Sequence, residues 1–167
     1  MTCKLVLFVL MKRYHLIDSA IISSQPSALF DEFGKFQHAK EWFPPAYKVW
    51  VSPDGSLAVG QELNISLNVF LTIAWRVEVV EQNHLVKISY ARGWHTGHGI
   101  WRFDQAGDGT MVSFEIDIQP NNLMASFLYD CVKMPTRHSR DIQGMFNRLA
   151  ARVGAPEPQH RVSKILD

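Results

Sequence analysis

Between Tyr47 and Gln119, apolar and polar residues alternate in six consecutive segments separated only by turn-length links. The segments are Tyr47–Ser52, Gly60–Leu67, Val69–Val80, His84–Arg92, His95–Asp104 and Thr110–Gln119. Alternation sends successive side chains to opposite faces of a strand. The links Pro53-Asp54-Gly55, Gln82-Asn83, Gly93-Trp94 and Gly107-Asp108-Gly109 are turn chemistry. Links this short permit antiparallel pairing, because a parallel pair needs a long crossover. The pattern predicts an antiparallel meander with one apolar face, and that face must be covered.

The cover lies downstream. After Pro120, the residues Leu123, Phe127, Leu128, Cys131, Val132, Met134, Ile142, Met145, Phe146 and Leu149 recur at spacings of a helix. Asn121 or Asn122 can cap its start. Pro135 removes an amide donor and crowds the preceding turn, so the stretch is one bent helix or two collinear ones, ending near Val153-Gly154. A bend there leaves the first half as a lid and the second half as core. Upstream, a strand from about Tyr14 to Ser24 leads into a helix with Ser24 as cap, Pro26 in the first turn and Gly34 at the end. A second short helix runs from Phe36 to Trp42 and stops at Pro44-Pro45. The fold class is α+β: a curved antiparallel sheet of six to seven strands around a long C-terminal helix, with two short helices after the first strand.

At 167 residues the chain suits one domain. Its 47% hydrophobic and 20% charged residues are a globular balance, and a net charge of +1 provides no global field for nucleic acid or a membrane. We place the domain at 14–153, with 154–167 as a tail marked by Gly154, Pro156 and Pro158. Residues 1–13 form an extension. Its apolar run Leu5–Met11 is too short to span a membrane and lacks a signal-peptide cleavage site. It either extends the first strand or precedes a natural start at Met11. Cys3 and Cys131 give neither metal-ligand spacing nor a disulfide framework, which fits a cytoplasmic protein without a metal or other cofactor. Phosphate-loop and nucleophile-elbow patterns are absent.

Several strings resemble the START / polyketide cyclase superfamily, also known as the SRPBCC or birch-pollen-allergen-like fold. They are Ile21-Ile22-Ser23-Ser24-Gln25-Pro26, Leu29-Phe30-Asp31-Glu32-Phe33, Glu41-Trp42-Phe43-Pro44, Gly97-His98-Gly99-Ile100-Trp101 and Gly109-Thr110-Met111-Val112-Ser113-Phe114. The resemblance covers roughly Tyr14 to Val153 and implies a helix-grip fold. It carries no shared catalytic motif, since members include cyclases, lipid carriers, receptors and chaperone activators.

Face assignment then selects a candidate cavity. Pairing Phe103 with Val112 sets Trp101 opposite Phe114, both inward with His95, and turns His98 outward opposite Asp117. Leu63, Ile65 and Leu67 also point inward, as do Leu71, Ile73, Trp75, Val77 and Val79. On the next strand Val86, Ile88, Tyr90 and Arg92 do the same. Gly97 and Gly99 leave room on that face. The expected ligand-binding set is Leu71, Ile73, Trp75, Ile88, Tyr90, Arg92, His95, Trp101, Phe114 and, from the helix, Phe127. An inward Arg92 needs a partner, either a ligand carboxylate or Glu62. For each single aromatic, plain core packing is the stronger reading.

Three functions compete. The first is binding or transport of a small hydrophobic or amphipathic molecule such as a lipid or polyketide. The second is a cyclase- or dehydratase-like enzyme with His95 as acid/base at a solvated rim, Arg92 stabilising an anion and Tyr90 as a second donor. The third is a protein-interaction module using the basic late helix, with Lys133, Arg137, Arg140, Arg148 and Arg152. A solvated helix face is the plainer reading of that cluster. Stable membrane insertion is not expected, and monomer or homodimer is left open.

Overall fold

A computed structural model describes residues 12–52, 55–68 and 71–166. The N-terminal run with its two readings lies outside the described residues. So do Pro53-Asp54 of the first turn, the expected strand start at Val69, and the side chains of Leu67 and Leu71.

In chain order the elements are β1 Tyr14–Ile22, α1 Pro26–Gly34, a 3-10 turn Phe36–His38, α2 Ala39–Trp42, β2 Lys48–Ser52, β3 Glu62–Asn68 and β4 Leu71–Glu81. Then come β5 Leu85–Arg92, β6 His95–Ala106, β7 Gly109–Pro120, α3 Leu123–Cys131, α4 Met134–Arg152 and β8 Gln159–Leu166. The strands form an 8-stranded antiparallel sheet in the order β2-β3-β4-β5-β6-β7-β1-β8. This is the α+β helix-grip arrangement, with α4 laid across the concave face.

Hairpin connections dictate most of that order. The β6–β7 register pairs Trp101 with Phe114, Phe103 with Val112 and His98 with Asp117. β1 closes on β7 with Ala20 opposite Val112. The residues after Val153, expected as a tail, instead turn back through Gly154 at φ 70 and add β8 along β1. Every residue of β8 is exposed, so no apolar alternation marks it in the sequence. It pairs with the backbone of β1 and would otherwise leave that edge open.

Local chemistry sets the helix ends. Asn122 caps α3, its side chain accepting from the Ala125 amide at 2.9 Å. At α1 the cap residue is Gln25, not Ser24, and it makes no side-chain cap bond. Between α3 and α4, Lys133 takes a left-handed conformation at φ 49 and Pro135 occupies the first turn of α4. Pro135 therefore starts a helix, where its missing donor costs nothing.

The core divides the interior in two. Under α1 and α2, aromatic rings fill the space: Phe33 stacks on Trp42 at 5.1 Å, and Trp101 stacks on Phe114 at 4.5 Å. Phe146 of α4 meets the Trp101 ring edge-on at 6.0 Å. Arg152 at the end of α4 binds Glu32 of α1 at 2.5 Å and Glu41 of α2, which pins this filled end. The opposite end, beneath α3 and the start of α4, is open.

Candidate functional site

That open end holds a cavity of about 440 Å³. Its sheet wall is built by Ile65 of β3, Ile73 and Trp75 of β4, Tyr90 of β5, His95 of β6 and Ile118 of β7, with Trp94 from the turn. The helix wall is Leu128, Tyr129, Val132, Met134, Arg137, His138, Asp141, Ile142 and Met145, and Phe43, Pro44 and Tyr47 close a third side.

The buried polar groups gather around His95. Its imidazole is 6% exposed, packs edge-on against the Tyr90 ring at 4.3 Å, and bonds through Nδ1 to the Tyr129 hydroxyl. When that hydroxyl donates, the proton sits on Nε2; when Nδ1–H donates, Nε2 is a bare acceptor. In both arrangements Nε2 has no partner among the described residues, while the buried Trp75 indole faces the Tyr90 hydroxyl. Burial, followed by the nearby His138, pushes the His95 pKa down to about 4. The ring is therefore neutral at pH 7 and held out of water, not solvated at a rim. Burial also raises the phenol pKa values of Tyr90 and Tyr129, so both remain hydroxyls.

A second imidazole, His138, stands on α4 one turn before Ile142. Its Nδ1 lies 3.7 Å from the carboxylate of Asp18, which is fully buried. Asp18 also accepts from Ser139 at 3.1 Å and from Ser163 of β8. A buried carboxylate requires such donors. At the mouth, the Tyr47 hydroxyl donates to Asp141, beside Arg137. Among the described residues no group of three or more His, Cys, Asp or Glu could hold a metal ion.

Several expected site residues lie elsewhere. Arg92 points outward, with its side chain 61% exposed, and binds Glu62 at 2.9 Å and Asn64 at 2.6 Å. The cause is a β-bulge: Ala74 pairs with Arg92 but Trp75 with Tyr90, so Ala91 is an extra residue and alternation inverts after Tyr90. A second bulge at Glu78 turns Val79 outward and brings Val80 against the core. Trp101, Phe114 and Ile88 are fully buried core residues that do not line the cavity; Phe114 packs behind its lining residues Trp75 and His138. Gly99 leaves no ligand space, since an added Cβ would stand 2.8 Å from the Phe114 ring. Gly97 instead fits a close backbone approach, where a Cβ would lie 2.1 Å from the Asp117 carbonyl oxygen. Phe127 is 64% exposed on the outer side of α3, and Leu128 and Tyr129 take the inner positions.

The structure brings Trp75, Tyr90, His95 and Ile73 together. Sequence reasoning missed Tyr129 and His138. Tyr129 follows Ala125 by one turn on the buried side, and a buried tyrosine hydroxyl needs a partner. His138 precedes Ile142 by one turn on the same face. Those spacings are the signal that could have found them.

These features define a helix-grip ligand-binding fold with an apolar cavity at one end. The chain belongs to the polyketide cyclase / dehydrase and lipid transport family, whose model matches residues 15–154. No curated protein matches the sequence significantly. Among solved structures, the KanY protein is 16% identical, with TM-score 0.67 over 86% of this chain and 99% of that one. Norcoclaurine synthase from Thalictrum flavum, in complex with dopamine and hydroxybenzaldehyde, is 11% identical, with TM-score 0.64 over 85% and 87%. Ara h 8.0201 is 10% identical, with TM-score 0.60 over 85% and 98%. At these identities the likeness is one of fold.

Proposed function

We propose that the chain binds a small, mainly apolar molecule with one neutral oxygen function, such as a carbonyl, hydroxyl or phenol. The observation that carries this reading is His95 Nε2, a buried polar atom without a partner among the described residues, on the wall of a mainly apolar cavity. Such an atom costs about 1–3 kcal/mol when left without a hydrogen bond, and a ligand oxygen offsets that cost. With Arg92 outside, no guanidinium among the described residues awaits an anion beside His95. Arg137 at the mouth suits a ligand whose far end is polar or charged.

Mass spectrometry of the organic extract of purified protein tests the reading. The expected result is a stoichiometric small molecule of amphipathic character. His95→Leu is expected to weaken binding of a hydroxyl- or carbonyl-bearing ligand about tenfold, from one lost hydrogen bond, while leaving a hydrocarbon of equal size unaffected. Equal loss for both ligands counts against the polar contact.

One arrangement favours an enzyme as a second reading. An imidazole whose Nδ1–H donates to Tyr129 presents a bare Nε2 as a general base, one that burial weakens by holding its pKa near 4, and His138 beside Asp18 supplies a second, differently placed imidazole. The complex of norcoclaurine synthase with dopamine and hydroxybenzaldehyde gives this reading a precedent for oxygenated aromatic ligands. Turnover of an identified ligand that survives His95→Gln would exclude the base role.

A further inference from the structure

The helix over the cavity is apolar on both sides. Ala125 and Tyr129 are its buried residues, with Leu128 against the cavity. On the opposite side Leu123 is 56%, Met124 65% and Phe127 64% exposed. These three lie within one turn of each other and form a single outward face. A helix apolar all round is normally covered.

At the C-terminal end of this face the charge changes. Val132, 47% exposed, borders both the cavity and a cleft lined by Lys133, Thr136, Arg137, Arg140 and Asp141. Lys133 and Arg140 have no ion-pair partner among the described residues. The two nearby carboxylates are already engaged: Asp141 by Tyr47, and Asp130 by Tyr14 at 3.1 Å and Lys12 at 4.0 Å. A second copy of this face would offer the cations no free anion. A layer of anionic headgroups offers many, and its acyl region accepts the apolar side chains.

We propose that α3 is a membrane-docking element: Leu123, Met124 and Phe127 enter the surface of an anionic lipid bilayer while Lys133, Arg137 and Arg140 contact its headgroups. The docked orientation brings Val132, which is exposed and also borders the cavity, to the lipid surface. The docking itself does not depend on what the cavity holds.

The test is co-sedimentation of the full chain with vesicles of phosphatidylcholine and phosphatidylglycerol in equal parts, beside vesicles of phosphatidylcholine alone. The expected result is binding to the mixed vesicles that weakens with salt. Phe127→Ser should lower the partition coefficient about tenfold or more, and Lys133→Gln with Arg140→Gln about fivefold per cation removed. Both variants keep the wild-type Tm, because the altered side chains are exposed. No binding to the mixed vesicles overturns the proposal, as does binding unaffected by either variant. A face covered by another segment of this chain, or by a second copy, overturns it differently: vesicle binding is absent, and Phe127→Ser lowers Tm or dissociates a dimer.

Discussion

At the scale of single residues, His95 decides the character of the cavity. A histidine pKa near 4 in the folded chain, against an ordinary 6.5, means the unfolded chain binds the proton first as pH falls. This stabilising contribution is complete above about pH 6.5 and is lost as pH falls towards 4. The loss is on the order of 3 kcal/mol. Urea unfolding between pH 7 and pH 4 should show that decline, and His95→Gln should flatten it. A slope unchanged by His95→Gln would place the titrating group elsewhere. Asp18 makes a second residue-scale prediction. Ser163→Ala removes one hydroxyl from a fully buried carboxylate and should cost about 1–2 kcal/mol in urea unfolding.

Elements show where the sequence can and cannot be read. Alternation found every central strand, and the β6–β7 register emerged residue for residue: Trp101 on Phe114, His98 on Asp117. It failed where the period itself breaks. The bulges at Ala91 and Glu78 each insert one residue, and alternation beyond them inverts. Arg92 thereby joins Glu62 and Asn64 on the outer face. β8 was illegible for another reason: it buries no side chain, and what orders it is the open edge of β1. Phe127 was read inward because α3 is apolar on both sides, so helical spacing alone cannot choose the face. Gly97 belongs to this scale as well. Its φ of 135 and the approach of the Asp117 carbonyl serve the β6–β7 hairpin. Gly97→Ala should therefore destabilise the fold by about 3 kcal/mol, read by urea unfolding. A near-neutral result would contradict the close approach.

Across the whole molecule, one interior is split between two tasks. Phe33, Trp42, Trp101, Phe114 and Phe146 fill the end held by the Arg152–Glu32–Glu41 cluster. The other end carries the cavity, with neutral polar groups inside and Arg137 at its mouth. The fold class was visible in the sequence because hairpin links and one late helix leave few alternatives. The division of the interior was not, since it depends on which aromatic rings meet across elements distant in the chain. The open end is proposed to accept a small apolar molecule. Titration with anilinonaphthalene sulfonate, followed by fluorescence, tests it most directly when wild type is set beside Ile73→Trp, whose larger side chain occupies the space next to Trp75 and Tyr90. One saturable site per wild-type chain is expected, with at least tenfold weaker binding in the filled variant and an unchanged far-UV spectrum. Equal binding by both proteins, or none by the wild type, would contradict it.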